Sequence, residues 1–143
     1  MEYLVAVDGS SDSDPAVRHA GRLAAATDGR VWVVHAVTPR EYAAACSPAP
    51  TDDSRSPDIE TAAARGETAV SEAAARLRGD GVTVPDTHLL YGEPTETIPT
   101  FARERADEIV VGHRGQSSAS DRVLGSVAVG LLDRTDVPVT VVG

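Results

Sequence analysis

Residues 107–126, Asp-Glu-Ile-Val-Val-Gly-His-Arg-Gly-Gln-Ser-Ser-Ala-Ser-Asp-Arg-Val-Leu-Gly-Ser, carry an apolar strand run into a loop punctuated by three glycines. Two residues separate Gly112 from Gly115 and nine separate Gly115 from Gly125, after which Ser126 opens the apolar run Val127, Ala128, Val129, Leu131, Leu132. Glycine has no Cβ, so it tolerates positive φ and lets main-chain N–H groups come close to a ligand. The first turn of a helix adds N–H groups without intrahelical partners and partial positive charge, a combination that favours anions. Ser126 is placed either to cap the helix beginning near Val127 or to offer its hydroxyl to a phosphate oxygen; one oxygen serves both roles. A glycine-rich turn with an ordinary serine cap would share this spacing, and the rest of the chain has to decide between them.

Upstream, apolar strand runs alternate with helical patterns. Tyr3-Leu4-Val5-Ala6-Val7 ahead of Asp8-Gly9-Ser10 reads as a strand buried on both faces of a parallel sheet. Pro15 fits the first turn of a helix capped by Ser13 or Asp14, with Ala16, Ala20, Leu23 and Thr27 on one face and Asp28-Gly29 as its stop. Val31–Val37 is the second strand, and residues 38–58, rich in Pro, Ser, Ala and Asp, read as a long mobile connection. Ile59, Ala63, Gly66, Val70, Ala73 and Leu77 recur at helical spacing, and Gly79-Asp80-Gly81 ends that helix.

Val82-Thr83-Val84 and His88-Leu89-Leu90 form a third strand interrupted by Pro85, which suits an edge position. A short helix contains Phe101 and Ala102, and the spacing predicts Thr97 as its cap with Pro99 in the first turn. Glu108–Val111 is the fourth strand; a helix from Ser126 to about Asp133 and the run Val137-Pro138-Val139-Thr140-Val141-Val142 close the chain. Strands alternating with helices predict an α/β fold, with a parallel sheet covered on both sides and right-handed crossovers. In such sheets ligands bind beyond the carboxyl ends of the strands, where the strand order reverses.

Composition narrows the chemistry. The chain has 143 residues, which predicts one domain spanning 1–143. No apolar run approaches the roughly 20 residues that span a bilayer, and Met1-Glu2-Tyr3-Leu4 does not place a basic region ahead of an apolar one, so a cytoplasmic protein without a membrane partner is expected. Thirteen basic residues against twenty-two acidic ones give a net charge of −9, and every basic residue is arginine. Without lysine there is no P-loop lysine and no Schiff base. An acidic surface with one Trp, one Phe and three Tyr offers nothing to nucleic acid. Abundant carboxylate without lysine predicts salt adaptation, because the Debye length falls to roughly 3 Å at 1 M and self-repulsion is then screened.

His19, His35, His88 and His113 match no zinc spacing, and Cys46 has no histidine close in sequence. His35 reads as a core or rim residue at a strand end, and His113 lies inside the glycine loop where binding residues gather. No Gly-x-Ser-x-Gly elbow is present, and no pair of residues forms an evident general base with a nucleophile.

The spacing Gly112, two residues, Gly115, nine residues, Gly125-Ser126 resembles the pattern that marks ATP-binding members of the universal stress protein family. The resemblance extends from Val5-Ala6-Val7-Asp8 through His35-Ala36 and Gly92-Glu93-Pro94 to the closing Val-Pro-Val. It implies a Rossmann-like open twisted sheet of five parallel strands in the order 3-2-1-4-5, of the adenine nucleotide alpha hydrolase type, with four helices on its two faces. It implies Asp8 near the adenosine and a metal ion, Ala36 as the main-chain position pairing with adenine, and Val111 and Gly112 beside the ribose and adenine. Gly115, Gly125, Ser126 and Val127 match positions holding the phosphates. Ala128, in place of a hydroxyl residue, and Gln116, in place of a basic one, depart from the common pattern.

ATP is the expected cofactor. Mg²⁺ would bridge Asp8 to the phosphates, since Mg²⁺ usually binds one or two carboxylates together with phosphate oxygens. The family pairs its last strand across a homodimer, which here implicates Val137–Val142, an apolar edge open to a second copy. Three functions stay open: a nucleotide-dependent stress-response sensor, a slow ATPase, and a nucleotide-free dimeric scaffold.

Overall fold

The computed structural model of the protein describes residues 1–9, 13–38, 59–113 and 125–143. Five strands, β1 (Glu2–Ala6), β2 (Arg30–Val37), β3 (Thr87–Tyr91), β4 (Glu108–Gly112) and β5 (Val139–Val142), alternate with α1 (Asp14–Thr27), α2 (Ile59–Gly79), α3 (Pro94–Arg105) and α4 (Ser126–Arg134). All strand pairs are parallel and the sheet order is β3-β2-β1-β4-β5, as the resemblance implies.

Each face of the sheet has its own core, because strand side chains alternate between faces. Tyr3, Val5 and Val7 pack with Val31 and Val33 under α1 and α2, against Val17, Ala20, Val70 and Leu77. Leu4, Val34, Ile109 and Val111 pack under α3 and α4, against Ile98, Ala102, Ala128 and Leu131. The buried residues of α1 are Ala16, Val17, Ala20 and Ala24, so its inner stripe lies closer to Val17 than the expected Leu23 and Thr27; Leu23 sits at the margin. Asp28, in a left-handed conformation with φ 52°, ends the helix where expected.

Two expectations fail locally. The third strand is Thr87–Tyr91 alone: Thr83 makes only an isolated bridge to Arg30, and Pro85, which has no amide to donate, separates the two. It does lie at the sheet edge. Helix α3 starts at Pro94 with Glu93 as its N-cap, and Pro99 is buried inside the helix. Pro94 takes the first helical position, where a missing N–H costs nothing. Thr97 therefore does not cap; its hydroxyl donates to the Glu93 carbonyl at 3.0 Å.

The amino ends of the strands are closed by side chains. Trp32 Nε1 donates to Glu2 Oε2 at 3.0 Å, and the other oxygen of Glu2 pairs with Arg30. The Arg105 guanidinium lies 4.8 Å from the Phe101 ring centre and 5.6 Å from that of Trp32, a cation–π arrangement.

Candidate functional site

The carboxyl ends of β1 and β4 are adjacent, since Val5 pairs with Val110, yet their connections depart to opposite faces of the sheet. β1 leads to α1 and β4 to α4. The divergence opens a crevice, the place where open α/β sheets bind ligands. On the β1 side its wall is the segment Val7-Asp8-Gly9, half-buried at Asp8, with Gly9 at φ 84° turning the chain where a side chain would be strained. On the β4 side it is Val111, Gly112 and His113, of which Val111 is fully in the core.

Hydrogen bonds fix the β4 wall. The His113 amide donates to the Val142 carbonyl at 2.6 Å, and the His113 carbonyl accepts from the Gly125 amide at 2.8 Å. Gly125 then opens α4, its carbonyl accepting from the Val129 amide at 3.1 Å. The N-cap is thus Gly125, with φ −62° and ψ 155°, and Ser126 is the first helical residue instead of the cap. This follows from the ladder: Gly125 is the residue tied to the strand end, so the helical turn begins one position later. Ser126 is exposed and unburdened by packing, Val127 is half-buried, and Ala128 is turned into the core under α4. The apolar Ala128 belongs to that packing. The first-turn amides of α4 have no intrahelical acceptors and sit beside the carboxyl end of β4.

The expected site residues fall into three groups. Val111, Gly112, His113, Gly125, Ser126 and Val127 come together through the His113–Gly125 bond. Asp8 stands on the neighbouring strand end and Ala36 on the next, where Ala6 pairs with Val34. Gly115, together with Arg114, Gln116, Asp121, Arg122 and Cys46, lies outside the described residues. Among the described residues no group of three or more His, Cys, Asp or Glu could hold a metal ion. A single carboxylate at Asp8 suits a cation that takes its remaining ligands from phosphate and water.

One residue does more than its sequence context suggested. His35 is 8% exposed, and its Nδ1 lies 2.8 Å from the Val7 carbonyl oxygen. A carbonyl only accepts, so Nδ1 carries the proton and donates. The ring rests against α2 at Gly66, where an added Cβ would come within 2.7 Å of His35 Cδ2. A lone histidine in an otherwise apolar strand is the signal; its partner, distant in sequence, is not.

A separate hollow opens between α1 and α2, lined by Val7, Gly9, Asp14, Glu72 and Arg76, with Arg76 3.7 Å from Asp14. It shares only the end of β1 with the crevice.

The model of the universal stress protein family matches residues 2–143. The stress response protein NhaX of Bacillus subtilis is 32% identical over 162 residues, covering 97% of this chain and 95% of that protein. Among solved structures, the universal stress protein from Archaeoglobus fulgidus in complex with dAMP superposes with a TM-score of 0.72 at 28% identity, over 100% of this chain and 98% of that one. A universal stress protein in complex with cAMP gives 0.71 at 27% identity, over 99% and 95%. Among the described residues no helix is long and apolar enough to cross a membrane.

Proposed function

Because this chain belongs to the universal stress protein family, we propose that it binds ATP at the crevice between β1 and β4 and acts as a nucleotide-dependent regulator of a stress response. The observation that carries this reading is the Gly125–His113 hydrogen bond, which sets the first turn of α4 beside the end of β4. Two similar proteins, at 28% and 27% identity, hold dAMP and cAMP, and both ligands carry adenine on a pentose phosphate, as ATP does.

In this reading the amides of Gly125, Ser126 and Val127 and the Ser126 hydroxyl hold phosphate oxygens, with Gly115 as a further contact. Val111, Gly112 and His113 border the ribose and base, and Ala36 pairs with the base through its main chain. ATP carries roughly four negative charges, and a carboxylate 4 Å from one of them is repelled by about 1 kcal/mol in water, more in a drier cleft. Asp8 would hold a divalent cation such as Mg²⁺, whose charge would offset that repulsion. No residue is assigned a catalytic role, and the regulator reading requires none: the nucleotide changes what partners meet.

Two further elements complete the proposal. The protein is a cytoplasmic homodimer joined along β5, an edge strand whose valines are all partly exposed. It works in high salt, in keeping with a net charge of −9 and no lysine.

Calorimetric titration with Mg-ATP in molar KCl, paired with a phosphate-release assay, tests the function. Heat without phosphate release is expected. Heat with release would make the protein an ATPase, and no heat would leave a nucleotide-free dimeric scaffold.

A further inference from the structure

The β1–β2 ladder stops one bond early. Val7 N–H donates to the Val34 carbonyl at 2.9 Å, and in a regular parallel ladder the next bond would run from the Ala36 amide to the Val7 carbonyl. Among the described residues that bond is not made. The Val7 carbonyl accepts from the His35 imidazole instead, at 2.8 Å. Alternate residues of a central strand direct their main-chain groups to opposite neighbours. Val37 bonds toward β3, its carbonyl taking the Gly92 amide at 3.0 Å, so the main-chain groups of Ala36 are directed toward β1. There β1 has already turned away at Gly9.

The ring is built to stay in place. Its Cδ2 edge lies against Gly66 of α2, with Leu89 of β3 at the same contact, and His35 is 8% exposed.

We propose that His35 is a positioning residue for base recognition: with its imidazole seated on the Val7 carbonyl in the place of the Ala36 amide, it holds the two strand ends apart and leaves that amide for the hydrogen-bonding edge of a purine. This rests on the nucleotide reading above. Adenine presents a ring-nitrogen acceptor beside an exocyclic amino donor, which matches an amide donor with its own carbonyl close by. Guanine presents a ring N–H and a carbonyl oxygen at the same edge, the reverse order. The freed main chain of Ala36 therefore selects adenine.

Calorimetry on the full chain in molar KCl, with Mg-ATP and Mg-GTP, tests this in the wild type, His35→Leu and His35→Asn. The wild type is expected to prefer ATP. His35→Leu lets Ala36 close onto Val7 and lowers ATP affinity about tenfold while GTP affinity holds. His35→Asn, whose side-chain amide donates from near the Nδ1 position, restores the preference. Equal weakening of both nucleotides in His35→Leu, or an unchanged preference, overturns the proposal. Hydrogen exchange of the wild-type Ala36 amide, followed by NMR, reads the same point without any variant: fast exchange in the free protein and protection with ATP are expected, and protection before ATP is added overturns the proposal. ATP binding that leaves the amide unprotected overturns this inference alone; absence of any nucleotide binding overturns the proposed function and this with it.

Discussion

The Gly125 amide donates to the His113 carbonyl at 2.8 Å, so the carboxyl end of β4 and the start of α4 are joined main chain to main chain. Gly125 does this in an extended conformation, φ −62° and ψ 155°, that any residue adopts. Backbone strain is not the reason for a glycine there; in the proposed function it is close approach of a phosphate. Gly125→Ala is therefore expected to cost about 1 kcal/mol of stability or less, the difference between glycine and alanine as an N-cap, while weakening Mg-ATP binding more than tenfold. Urea denaturation beside calorimetry checks it, and a large stability loss with ATP affinity intact would show that the glycine serves the fold.

Helices α3 and α4 meet without a spacer. A Cβ on Gly130 would clash with Thr95 Cγ2, so Gly130→Ala forces a shift and should destabilise the protein by about 1–3 kcal/mol. Thr95→Ala removes the opposing methyl, and the double variant should recover most of the loss. Additive effects in the double-mutant cycle would contradict the contact.

Leu131 is fully buried on α4, in the core it shares with Leu4, Ile98 and Ile109. Leu131→Ala should cost about 2–5 kcal/mol by lost transfer energy and the cavity left behind. A shift in the denaturation midpoint without a change of slope is the expected form of the result.

Carboxylates in excess, with a net charge of −9, repel one another most when the Debye length is long. The melting temperature is expected to rise from low to molar KCl. A protein equally stable throughout would remove the argument for salt adaptation.

Trp32, the single tryptophan, is held at the amino end of the sheet by Glu2 and Arg105. Its emission should report unfolding and stay unchanged on titration with Mg-ATP, because the crevice lies at the other end of the strands. A ligand-dependent shift of emission would place the nucleotide elsewhere.

The alternation of elements and the inner stripe of α2, with Gly66, Val70, Ala73 and Leu77 buried, were legible because periodicity is a local property of the chain. The strand order came with the family resemblance, and the sheet has it. What local pattern could not resolve was competition between neighbours. Pro99 was expected in a first turn behind Thr97, but Pro94, five residues earlier, holds that position. Ser126 was expected as the cap of α4 or a phosphate contact, but the hydrogen bond from Gly125 to His113 makes the glycine the cap. The His35–Val7 bond was out of reach for the same reason: it joins residues 28 apart in sequence, which only the parallel sheet brings side by side.

The stack of Arg105 on Phe101 and Trp32, anchored through Glu2 and Arg30, has a practical corollary for redesign. It gives the molecule a pole that carries no assigned ligand contact, so tags, surface immobilisation or thermostabilising substitutions introduced there are expected to leave the opposite pole, with the proposed nucleotide crevice, untouched.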